Sequence, residues 1–88
     1  MERYVDDDDG YLSWVAANPD GFVLNIDRHA TGSSLMLHRA ACDTITGRPA
    51  RGSHWTKDYA KFCGSRGELE RFAEVEVGGQ LQRCGRCM

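Results

Sequence analysis

Eighty-eight residues make one domain, and a core of that size is usually supplemented by a disulfide set or a metal. Hydrophobic residues at 41% and charged residues at 27% fit a folded globular chain and exclude a disordered one. The net charge of −2 is the sum of an acidic head and a basic middle: residues 1–20 hold six acids and one base, while 28–66 hold seven bases and two acids.

Residues 1–9 read as an acidic, flexible N-terminus, and the charge of Asp6 to Asp9 also suits the start of a helix. Tyr11, Leu12, Trp14 and Val15 recur at helical spacing and predict a short amphipathic helix over 9–17. Asn18-Pro19-Asp20-Gly21 is a turn, because Pro fixes one φ and Gly permits the next. Phe22, Leu24 and Ile26 alternate with Val23, Asn25 and Asp27, which predicts a strand. Arg28 to Ser33 makes a hairpin loop. Ser34 to His38 is the second strand, antiparallel to the first, with Leu35 and Leu37 on one face and Met36 and His38 on the other. Residues 39–45 form a helical turn or a knuckle, and Thr46 to His54 is a small, polar, basic loop. Trp55 to Cys63 is predicted as a third strand. Ser65 and Glu68 match a capping box and open a helix over 66–76, which Gly78-Gly79 ends. The expected fold class is α+β: a small single domain spanning 1–88, with about three antiparallel strands and two helices.

Cys84-Gly85-Arg86-Cys87 is the sharpest local signal. Two intervening residues let both sulfurs converge on one ion, and zinc takes four such ligands in a tetrahedron. Two ligand sets compete for the rest. One is His38, Cys42, Cys84 and Cys87, built from two short-spaced and nearly preformed pairs. The other replaces His38 with Cys63. The first is favoured for its local pairs. The remaining readings are redox or idle thiols, with Cys63 a small buried hydrophobe. Four protein ligands close a zinc site, so the expected Zn2+ is structural.

His38-Arg39-Ala40-Ala41-Cys42, a strand, the capped helix from Ser65 to Ala73, and Gly79 to Cys84-Gly85-Arg86-Cys87 together resemble the zinc domain of the Ada methyl-phosphotriester repair family. The resemblance covers about residues 34–88. The stretch from Tyr11 to Asn25 is similar to small uncharacterised actinobacterial domains. The Ada resemblance implies a zinc-stapled fold that touches a phosphate backbone. It departs at the methyl-accepting position, the first cysteine of the family's ligand-x3-Cys pair, where this chain has His38. A histidine is not a thiolate nucleophile, so methyl acceptance there is not expected. The spacing between the two ligand pairs is also longer, with 41 residues between Cys42 and Cys84.

No nucleophile elbow, phosphate loop or calcium loop is present, so the expectation is a binding protein rather than an enzyme. The basic loop supplies the binding candidates: Arg48, Arg51, His54 and Lys57 for phosphates, and Trp55 for stacking on a base. DNA or RNA is therefore the first expected partner. A protein partner docked by Asp6 to Asp9 is the alternative, and a thiol-based redox or repair protein is the third reading. No apolar run reaches the roughly 20 residues of a membrane span. The opening residues lack a basic-then-apolar secretory pattern, so a cytoplasmic, thiol-reducing compartment is expected.

Overall fold

A computed structural model describes residues 1–27, 35–42, 45, 55–57, 59–78 and 81–88. Five strands form one mixed sheet: β1 (Glu2–Tyr4), β2 (Phe22–Asp27), β3 (Leu35–Arg39), β4 (Tyr59–Gly64) and β5 (Gln82–Arg83). Their spatial order is β1-β4-β2-β3-β5. The pairs β1–β4, β4–β2 and β2–β3 are antiparallel, and β3–β5 is parallel. Two α-helices among the described residues pack on the sheet, α1 (Asp8–Ala17) and α2 (Arg66–Phe72).

The period of two along each strand divides the core between two faces. One face buries Leu24, Ile26, Leu35, Leu37, Ala60 and Phe62 beneath Leu69 and Ala73. Phe72 stacks on Phe62 there, with centroids 4.5 Å apart. The opposite face carries Tyr11 of α1 with Val23, Ala40, Cys42, Ile45, Cys63 and Cys84. Three of those seven side chains are cysteines, so this second cluster has little aliphatic bulk.

Among the described residues the sheet has five strands rather than the expected three. The additional strands are the short edges β1 and β5. Residues 1–9 also differ from the expected flexible tail. Glu2, Arg3 and Tyr4 pair with Cys63, Phe62 and Lys61. The Asp7 carboxylate accepts the Gly10 N–H at 2.9 Å and caps α1. Asp8 Oδ1 accepts three hydrogen bonds: from Trp55 N (3.1 Å), Thr56 N (2.8 Å) and Thr56 Oγ1 (2.7 Å). Those bonds explain why the third predicted strand starts late. Trp55 and Thr56 give their N–H groups to a carboxylate instead of a ladder, and β4 begins at Tyr59.

The second helix starts as its sequence predicts. Glu68 N–H reaches Ser65 Oγ at 3.3 Å, and Ser65 N–H reaches Glu68 Oε1 at 3.0 Å. It departs at its end, where Ala73–Val77 widens into a π-helical turn. Gly78 N–H closes that turn on Ala73 O at 2.9 Å, at φ 74°, a left-handed conformation that favours glycine.

Gly21 ends the turn after α1 under a steric constraint. A Cβ there would lie 2.6 Å from the Trp14 ring, and the Gly21 carbonyl accepts the Ala40 N–H at 2.9 Å. Gly21→Ala is expected to lower stability by about 1–3 kcal/mol through overpacking. Thermal unfolding checks this, and an unchanged Tm would refute it.

Candidate metal centre

The parallel register of β5 builds the site. Met36 pairs with Gln82 and Leu37 with Arg83. One further step sets Cys84 beside His38, and Cys84 N–H reaches Leu37 O at 2.9 Å. The tail then turns, with Met88 N–H on Cys84 O at 3.0 Å, which brings Cys87 back toward β3. On the other side β3 runs into a tight turn at Ala40. Cys42 N–H closes it on Arg39 O at 3.0 Å, and Ile45 N–H follows on Cys42 O at 3.2 Å. The Tyr11 hydroxyl donates to Ile45 O at 2.9 Å and ties α1 over this turn.

His38, Cys42, Cys84 and Cys87 converge, with all four ligand atoms within 4.8 Å of one another. Cys42 Sγ and Cys84 Sγ are 3.9 Å apart. His38, Cys42 and Cys84 are buried, and Cys87 is half-buried. The cluster can bind a metal ion. All four cysteines are thiols rather than disulfides.

The electrostatics suit that role. Burial, with help from the Lys61 cation, lowers His38 from 6.5 to about 4, so the imidazole is neutral at pH 7 and keeps a lone pair. Burial pushes the Cys87 thiol up to about 11; the Arg39 backbone N–H, 3.3 Å from Cys87 Sγ, opposes this, and the Cys42 and Cys84 thiols add to it. A bound cation reverses that balance, because ligation displaces the thiol protons. Arg39 also donates through Nε to Cys87 O at 2.9 Å, so one residue holds the knuckle from backbone and side chain. The sequence reading missed this role, which depends on the parallel placement of the tail.

Cys63 lies outside the cluster. It pairs with Val23 on β2, which pairs with His38 on β3, so Cys63 and His38 share a face two strands apart. That separation is roughly 10 Å, too far for a shared ion. Cys63 is fully buried, and burial pushes its thiol up to about 12. It is expected to resist iodoacetamide at pH 7–8 in the folded protein and to react on denaturation. Mass mapping checks this, and rapid native labelling at Cys63 would refute it.

Of the proposed binding residues, Arg48, Arg51 and His54 lie outside the described residues. Trp55 is half-buried against the second core cluster, and its buried Nε1 has no hydrogen-bond partner among the described residues. Lys57 is exposed and lines a cleft with Asp6, Asp8 and Thr56. The acidic head thus packs beside one end of the basic segment. No described helix is long and apolar enough to cross a membrane. No protein-family model, curated protein or solved structure matches the chain.

Proposed function

We propose that this protein is a zinc-stapled module that binds nucleic acid through the phosphate backbone. The convergence of His38, Cys42, Cys84 and Cys87 carries the zinc part of the reading. Three sulfurs and one imidazole are the donors that tetrahedral zinc selects. Zinc–sulfur bonds of about 2.3 Å give sulfur–sulfur edges of about 3.8 Å. The 3.9 Å between Cys42 and Cys84 is already that length. Four protein ligands leave no open position for a substrate water, so the zinc is structural and the protein acts by binding. Thiolate ligation suits a reducing, cytoplasmic compartment. The Ada-like resemblance belongs to the same reading, without its methyl-accepting cysteine.

The charge distribution supports nucleic acid as the partner. Arg39, Arg83 and Arg86 are exposed around the metal knuckle. Arg83 is 59% exposed in its side chain, with Nη2 3.9 Å from Glu70. The segment from residue 28 to 66, which includes Arg39, holds seven bases against two acids. Docking of a protein through Asp6 to Asp9 is less supported, because Asp7 caps α1 and Asp8 holds Thr56.

Salt-titrated binding of the zinc-loaded protein to duplex DNA tests the reading. Affinity is expected to fall with salt at a slope of about 0.9 per neutralised phosphate. Arg48→Ala with Arg51→Ala, and separately Arg83→Gln with Arg86→Gln, are each expected to flatten the slope by about one to two. The idea is lost if binding is absent at low salt, or if neither pair changes the slope while zinc content stays at one per chain.

A further inference from the structure

We propose that Lys61 is the counter-cation of the metal centre, a buried ammonium that balances the negative charge left on the α1 face of the sheet by metal ligation. The inference rests on the zinc reading above. Three thiolates, a neutral imidazole and a divalent ion leave one net negative charge in a site whose ligands are mostly buried. Buried charge is costly unless an opposite charge lies close in the same low-dielectric region.

Lys61 presents the matching problem. It sits on β4 and is only 5% exposed. Among the described residues its ammonium reaches no carboxylate within ion-pair distance. It donates to the neutral side-chain oxygen of Asn25 and lies 6.0 and 5.8 Å from the ring centroids of Tyr11 and Tyr59. Burial pushes the ammonium down to about 8; Cys63 and then Asp8 oppose that shift. Cys63 is held as a neutral thiol, and Asp8, the one carboxylate that acts on the ammonium, does so from beyond ion-pair distance, with Oδ1 bonded to Trp55 and Thr56.

The register places the two charges on one face of the sheet. Lys61 pairs with Asn25, and Asn25 with Met36, so Lys61 shares the face of β3 that carries His38. Tyr11, under the Lys61 ammonium, packs in the same cluster as Cys42 and Cys84. Tyr11 and Val23 are fully buried, so no solvent screens the space they fill.

The test compares full-length wild type, Lys61→Met and Lys61→Arg. Zinc affinity is read by competition with a chromophoric chelator. The thiolate-to-metal charge-transfer band is read after Co2+ substitution. Lys61→Met is expected to bind zinc about tenfold more weakly, in the range for loss of a group that supports metal ligands. Its Co2+ band should move to longer wavelength, because thiolate electrons without a nearby cation are transferred more easily. Lys61→Arg should keep both properties near wild type. Weaker binding with an unmoved band would assign Lys61 to packing alone and overturn the proposal, as would wild-type affinity in Lys61→Met. Wild-type protein that takes up no metal would overturn the zinc reading itself, and this proposal with it.

Discussion

Stripping zinc with a strong chelator at neutral pH is expected to unfold most of the α1 side of this protein. Structural zinc contributes about 10–16 kcal/mol of apparent binding free energy in finger peptides, against about 5–15 kcal/mol for the whole stability of a typical domain. Each kcal/mol moves Tm by about 4–8 °C in a domain this size, so Tm should fall by tens of degrees or the transition should vanish. The loss should be uneven. The α2 face keeps Leu24, Ile26, Leu37, Phe62 and Leu69, which pack without reference to a metal. The α1 face holds three cysteines among its seven buried residues, and without an ion Cys42 and Cys84 are left to their backbone hydrogen bonds with Arg39 and Leu37. Hydrogen exchange should therefore quicken first in α1, around Ala40 to Cys42 and along β5. His38→Ala and Cys84→Ser should each abolish stoichiometric zinc, while Cys63→Ser should retain it. Purified protein without zinc, or a Tm indifferent to chelator, would refute the structural role.

The features legible in the sequence are those whose causes are local. The capping box needs only Ser65 and Glu68, three residues apart, and both of its hydrogen bonds form. The alternation of Phe22 to Asp27 and of Leu35 to His38 gives two strands and their antiparallel pairing. Cys84 and Cys87 announce themselves by spacing, and so do His38 and Cys42. What spacing cannot supply is the order of strands. The choice between His38 and Cys63 depends on β2 lying between β3 and β4, which no short window of sequence contains. The two edge strands were missed for a related reason. Glu2-Arg3-Tyr4 and Gln82-Arg83 are too short to show a period and are strands only because β4 and β3 offer free edges. Trp55 misled in the other direction. Its aromatic character reads as strand, but its N–H belongs to Asp8, a residue 47 positions earlier.

That bond carries the second large expected effect. Asp8→Ala removes the acceptor of Trp55 N–H, Thr56 N–H and the Thr56 hydroxyl, and Thr56 is fully buried. A buried donor left without a partner costs about 1–3 kcal/mol. Asp8 itself is half-buried, so water replaces part of the loss. A total near 3 kcal/mol, or a Tm fall of about 12–24 °C, is expected. Asp8→Asn keeps an oxygen in place and should lose less. Asp9→Ala, at an exposed neighbour in the same helical turn, should stay within about 1 kcal/mol of wild type. Asp8→Ala no more damaging than Asp9→Ala would remove the clamp from the account. The same variant separates two views of the basic segment. If that segment attracts nucleic acid by charge alone, deleting an acid beside Lys57 should tighten binding. If Asp8 matters because it anchors the segment's end through Trp55 and Thr56, binding should weaken although a negative charge has gone. Under the nucleic-acid reading the second result is expected, with zinc content unchanged, because Asp8 anchors residues 55 and 56. Tighter binding by Asp8→Ala would show that the acidic head merely repels the ligand.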